Sequence, residues 1–208
     1  MRQPNFALYL ITERTATQGR NMLWALEQAL DGGVKAIQLR EKDLDGKSLF
    51  DLATKVSALC RRYNAELFIN DRIDIALAVE AAGVQLGKAS LPIAAARALL
   101  GTARAIGYSA HSLEEARDAE RDGADFVLFG PVYFTPSKAP YGSPQGLTAL
   151  KNIVEKVALP VYAIGGVNAA NLAQAMNTGI YGVALISAIM GAENPASATK
   201  TILTLIAR

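Results

Sequence analysis

The chain has 208 residues, 51% hydrophobic and 19% charged, a balance that supports a large buried core and excludes disorder as the main state. Its net charge of +2 comes without a basic run, so no electrostatic footprint for nucleic acid is present, although a phosphate pocket needs only a few local cations. The single cysteine, Cys60, and single histidine, His111, exclude an intramolecular disulfide, a cysteine-rich zinc site and a histidine-based metal cluster.

The first apolar run is short and lacks a cleavage pattern, so it reads as a strand over Ala7–Thr12 and not as a signal peptide. A helix is predicted over Gly19–Leu30, a strand over Ala36–Glu41 and a helix over Lys47–Arg62. The pattern repeats as strand Glu66–Asp71, helix Arg72–Ala81, strand Gly83–Gly87 and helix Pro92–Leu100. It continues as strand Ala105–Ser109, helix Leu113–Arg121, strand Phe126–Val132 and helix Leu147–Lys156. The last units are strand Pro160–Gly166, helix Ala169–Asn177, strand Gly182–Ile189 and helix Ala196–Ala207. The strands are nearly continuous apolar stretches, as expected of parallel strands covered on both faces. Ser112-Leu-Glu-Glu115 is a capping box, and Asn168 is a suitable N-cap before Ala169. Gly33, Gly83, Gly123 and Gly179 each follow a helical segment, where a left-handed C-cap is expected.

Strand-plus-helix units of roughly 25 residues predict one (β/α)8 TIM barrel over residues 1–208, with an open doubly wound sheet as the competitor. The longest irregular stretch, Thr135–Gly146, is expected to be a functional loop. No stretch reaches the ~20 apolar residues of a membrane helix. The expectation is a soluble, cytoplasmic chain without membrane partners.

In a barrel, chemistry collects where the strands end. Strand two ends in Gln38-Leu-Arg40-Glu-Lys42, where alternation points Gln38, Arg40 and Lys42 to one side. Two cations on one face of a buried strand are costly unless an anion meets them. Strand three ends in Asn70-Asp71-Arg72, and Asp74 or the Asp71 backbone is expected to serve the next helix, leaving the Asp71 carboxylate for the cavity. Strand five brings Ser109 and His111, the latter read as a structural hydrogen-bonder. Thr135, Ser137 and Lys138 place two hydroxyls and an ammonium on the long loop. Gly165-Gly166 and Ser187 follow strands seven and eight, a common phosphate position in barrels. A cavity for two anionic groups is expected.

Gln38-Leu-Arg-Glu-Lys, Ile69-Asn-Asp-Arg-Ile-Asp, Ile106-Gly-Tyr-Ser-Ala-His-Ser, Gly130-Pro-Val-Tyr, Thr135-Pro-Ser-Lys, Gln145-Gly-Leu, Ala163-Ile-Gly-Gly-Val and Ile186-Ser-Ala-Ile resemble, in order, the thiamine-phosphate synthase family and its thiazole tautomerase relatives. The resemblance implies a (β/α)8 barrel that joins hydroxymethylpyrimidine diphosphate to thiazole phosphate with magnesium, releasing diphosphate. It implies substrate contacts at Gln38, Arg40, Lys42, Asn70, Ser109, Thr135, Ser137, Lys138, Gly166, Ile186 and Ser187, and a magnesium ligand at Asp71. Arg40, Lys138 and Ser109 would be catalytic. The partners implied are the two phosphorylated substrates, and the resemblance is compatible with a homo-oligomer. Synthases follow strand four with Gly-Gln-x-Asp, whereas this chain has Gly87-Lys88-Ala89-Ser90 and so lacks the second metal aspartate. The tautomerase histidine after the glycine of strand six is replaced by Pro131, as in synthases. Tautomerase activity, or phosphate-ligand binding without catalysis, are the alternatives. Lys88 is expected either to supply charge to the cavity or to point into solvent.

Overall fold

A computed structural model describes residues 3–136 and 143–207. Strands β1 (Leu8–Ile11), β2 (Ala36–Leu39), β3 (Glu66–Asn70), β4 (Gly83–Leu86), β5 (Ala105–Ala110), β6 (Phe126–Phe129), β7 (Val161–Ile164) and β8 (Gly182–Leu185) each pair in parallel with the next. β8 returns to β1, with Leu8 opposite Val183, and the barrel is closed. Around it lie α1 (Met22–Asp31), α2 (Gly46–Arg62), α3 (Ile73–Ala78), α4 (Ile93–Leu100), α5 (Leu113–Arg121), α6 (Gly146–Lys156), α7 (Leu172–Met176), α8 (Ser187–Met190) and α9 (Pro195–Ile206). The (β/α)8 barrel expected from the apolar runs is therefore present, and the open sheet is excluded. No helix among the described residues is long and apolar enough to cross a membrane.

The capping chemistry follows the sequence. Asn21 accepts from the N–H groups of Leu23 and Trp24, Asp45 from Ser48, and Asn194 from Ser197, each opening a helix. Ser112 accepts from the Glu115 N–H at 3.1 Å, but Glu115 reaches back to the N–H of His111 instead of that of the N-cap. Three expectations are corrected. Asn168 shapes a turn through the Ala170 N–H, and α7 begins only at Leu172. The apolar run after β8 does not extend the strand: Ser187–Met190 coils into one helical turn. Gly83 is no helix cap either. It is strand residue, and a Cβ there would lie 2.1 Å from the Ala105 carbonyl oxygen, while Glu80 (φ 55°) takes the left-handed position after α3.

Inside the barrel, side chains from alternate strands stack in layers. Advancing one residue per strand along the pairing registers keeps a layer level. Above a layer of Ala36, Gly83, Phe126 and Gly182, the next holds Tyr9, Phe68, Gly107 and Tyr162, and the one after it Gln38, Gln85, Leu128 and Ala184. Above these lie Ile11, Asn70, Ser109 and Ile164. Phe6 and Phe126 join the lowest aromatic rings, with centroids 5.3 Å apart for Tyr9–Phe68, 5.7 Å for Phe68–Phe126 and 5.5 Å for Phe126–Tyr162. The Tyr162 hydroxyl donates to the Phe6 carbonyl at 2.6 Å, and burial pushes the Tyr162 phenol pKa up. This aromatic plug seals the end where the strands begin. Any chemistry in the barrel must open at the other end.

Candidate functional site

The groups at the open mouth come from consecutive strand ends. The Thr12 hydroxyl, after β1, accepts the Arg40 N–H at 2.9 Å, and Glu13 Oε2 stands 3.5 Å from Arg40 Nη1. The loop after β1 thus holds both the backbone and the guanidinium of Arg40. Gln38, one step inside, is 1% exposed. β2 ends at Leu39, so both Arg40 and Lys42 lie in the loop that follows it. Lys42 is exposed and lines a cavity of about 320 Å³ with Leu44, Asn70 and Asp71, between the loops after β2 and β3. A larger cavity of about 390 Å³, beside Cys60 and Arg104, belongs to the sealed end.

Between Arg40 and Lys42, Glu41 is buried, with its side chain 2% exposed. Its Oε2 accepts the Arg14 N–H at 3.3 Å and faces Arg14 Nε at 3.2 Å. Burial raises its carboxyl pKa, while Thr12 and Arg14 pull it down. A proton therefore binds the folded chain more readily than the unfolded one at this group, and its contribution to stability falls as pH rises through the raised value. Relative to Glu41→Gln, the native chain should gain stability as pH is lowered from neutral toward the ordinary 4.5. Thermal unfolding of both proteins over that range checks this; a difference independent of pH would contradict it.

Asp71 occupies a left-handed position (φ 60°) at the end of β3, its N–H donating to the Gln85 carbonyl at 3.0 Å. Asn70 Nδ2 donates to its Oδ2 at 2.7 Å, and the Ser90 hydroxyl donates to its Oδ1. Ser90 Oγ in turn accepts the Gly87 N–H at 2.7 Å. Asp74 binds Arg72 Nε at 2.9 Å, and this guanidinium holds the Asp74 carboxyl below the usual range. The Asp71 carboxylate is thus left to the mouth, as expected. Its donors are neutral, and no group of three or more His, Cys, Asp or Glu side chains suited to a metal exists among the described residues. One exposed carboxylate with a neighbouring hydroxyl fits magnesium, which keeps waters and substrate phosphates in its shell, and does not fit an all-protein cage. Lys88 lies on the rim, 85% exposed and 4.0 Å from Glu115, so the solvent-facing expectation holds.

Ser109 stands one layer above Gln85, whose Nε2 donates to its hydroxyl at 3.0 Å. His111 Nδ1 donates to the Gly130 carbonyl at 2.6 Å, so the histidine ties the end of β5 to that of β6. Val132 and Tyr133 then donate to the carbonyls of Ile164 and Gly165, both at 2.9 Å, which leads the chain to Thr135 beside the end of β7. Ser137 and Lys138 lie outside the described residues.

Across the mouth, Gly165 (φ 91°) and Gly166 (φ 70°) turn left-handed. A Cβ on Gly166 would meet the Phe134 carbonyl oxygen at 2.5 Å, so only glycine admits the loop after β6 at this distance. Asn171 Nδ2 holds the Gly166 carbonyl at 2.9 Å, fixing the turn. α8 opens after Ile186 with no side-chain cap, which leaves the first N–H groups of the turn, Ser187 among them, directed at the mouth. Sequence reasoning missed Gln85, the Thr12–Glu13–Arg14 brace and Glu41. A lone amide in the apolar run Gly83-Val-Gln-Leu was the available signal for Gln85.

A closed barrel with cations, a carboxylate and uncapped amides at its C-terminal mouth is a (β/α)8 protein with its candidate site at the end where barrel enzymes carry theirs. The thiamine monophosphate synthase family model matches residues 8–189. A thiamine-phosphate synthase of Clostridium novyi is 43% identical, covering 95% of this chain and 97% of that protein. One from Desulfitobacterium hafniense is also 43% identical, covering 97% of each. A solved thiamine phosphate pyrophosphorylase from Pyrococcus furiosus superimposes with a TM-score of 0.88 at 40% identity, covering 97% of this chain and 96% of its own. 3-Hexulose-6-phosphate synthase, at 20% identity and a TM-score of 0.71, shares the fold alone. The chain belongs to the thiamine monophosphate synthase family.

Proposed function

We propose that this chain is a magnesium-assisted thiamine-phosphate synthase, joining hydroxymethylpyrimidine diphosphate to thiazole phosphate. The observation that carries the reading is one mouth where Arg40, Asn70, Asp71 and Ser109 come from the ends of β2, β3 and β5 and the Gly166 turn and the Ser187 helix start follow β7 and β8, an arrangement that suits two anions. Family membership supports the same activity. Gln38 and Asn70 hold the pyrimidine over the apolar half-layer of Leu128 and Ala184. In this reading Arg40, Lys42, Ser109 and Lys138 serve the diphosphate, and Thr135 and Ser137 serve the thiazole. The backbone at Gly166, Ile186 and Ser187 seats the thiazole phosphate. Asp71 would hold magnesium, which would supply positive charge to the leaving diphosphate.

The thiazole nitrogen forms a bond to the pyrimidine methylene as the carbon–oxygen bond to diphosphate breaks. Both electrons of that bond leave with diphosphate, where Arg40, Lys138 and the Ser109 hydroxyl stabilise them. The two seats supply alignment. Purified protein given both substrates and magnesium should yield thiamine phosphate and diphosphate in equal amounts, read by mass spectrometry. Isomerisation of a thiazole carboxylate, without transfer, would replace this reading by the tautomerase.

A further inference from the structure

We infer that Gln85 is a positioning residue that fixes the Ser109 hydroxyl as a hydrogen-bond donor toward the leaving diphosphate. The inference rests on the diphosphate reading of the mouth and deepens it. Gln85 is 2% exposed, and the registers place it on the inner wall between Asn70 of β3 and Gly107 of β5. Its Nε2 donates to Ser109 Oγ at 3.0 Å, and an amide N–H can only donate. A hydroxyl has one hydrogen. With its oxygen already accepting from Gln85, Ser109 must direct that hydrogen elsewhere, and no acceptor among the described residues is hydrogen-bonded to it. The open direction is the mouth.

The amide fits closely among its surroundings. A Cβ on Gly107 would lie 2.3 Å from Gln85 Oε1 and 2.4 Å from Phe126 Cζ, so the bare glycine makes the room the amide occupies. Oε1 itself is buried with no hydrogen-bond partner, which leaves the Ser109 contact as the amide's side-chain bond. A histidine or carboxylate at this position could accept from Ser109 and turn its hydrogen inward; glutamine, oriented this way, cannot.

A double-mutant cycle on inorganic diphosphate binding in the presence of magnesium, followed by calorimetry, tests this. In the native background Ser109→Ala should weaken diphosphate roughly tenfold or more, as expected of a hydrogen bond to a charged group. In the Gln85→Leu background the same substitution should cost less than about threefold, because the hydroxyl is already free to turn away. Affinity for thiazole phosphate should stay unchanged throughout. Gln85→Met, which keeps the side-chain length, serves the same cycle if the leucine variant does not fold. Equal losses on Ser109→Ala in both backgrounds would overturn the role of Gln85 while leaving Ser109 a diphosphate contact. No loss in the native background would overturn it together with the Ser109 assignment.

Discussion

Arg40→Ala is expected to lower kcat by roughly two to three orders of magnitude, the cost typical of removing one preorganised donor from a developing anion. The guanidinium is held in advance by the Thr12 hydroxyl on its backbone and the Glu13 carboxylate on Nη1. Its side chain is 26% exposed, so it is part-buried at the rim. Arg40→Lys should recover only part of the loss, because a point charge does not reproduce the planar fork. The fold should tolerate both changes, since a part-exposed pair contributes only about 0–1 kcal/mol. Steady-state kinetics with thermal unfolding as the control decides the matter. A large fall in Tm, or a kcat within a few-fold of native, would contradict the assignment.

Phe126→Ala should remove about 3–5 kcal/mol of stability, the range for large-to-small changes in a packed core. The ring is fully buried and packs edge-on against Phe6, Tyr9 and Phe68, with centroids 5.9, 5.8 and 5.7 Å away. It also fills the space that Gly107 leaves, so the resulting cavity lies directly beneath Gln85. Urea unfolding at equilibrium measures the loss. A change below 1 kcal/mol would mean that the plug collapses around the gap instead of leaving a hole.

Much of the barrel was legible in the sequence because parallel strands buried on both faces read as unbroken apolar runs, and α5 was bounded correctly by its own capping residues. The misreadings share a cause. Ile186-Ser-Ala-Ile189 is apolar enough to continue β8, and hydrophobicity alone does not separate a strand end from one helical turn. Gly83 looked like a cap because it followed a helix, whereas contact with the β5 backbone excludes a side chain there. The candidate site was legible where polar groups stood at strand ends. Gln85 and Ser109 meet across 24 residues, and Arg14 and Glu41 across 27, so those contacts come from strand register and loop packing. Local pattern holds neither. Arg40 and Lys42 were assigned by extending an alternation beyond the last residue of β2.

The proposed synthase transfers the pyrimidinylmethyl group directly between two aligned substrates, with no bond to the protein. Cys60, the single cysteine, is buried, with a thiol pKa pushed up to about 12, and His111 is engaged through Nδ1 with the Gly130 carbonyl. Intact-protein mass spectrometry after incubation with hydroxymethylpyrimidine diphosphate and magnesium alone, followed by addition of thiazole phosphate, tests the claim most directly. An unmodified chain is expected before the addition, and thiamine phosphate after it. A chain carrying the added mass of the pyrimidinylmethyl group, lost when thiazole phosphate is supplied, would contradict it.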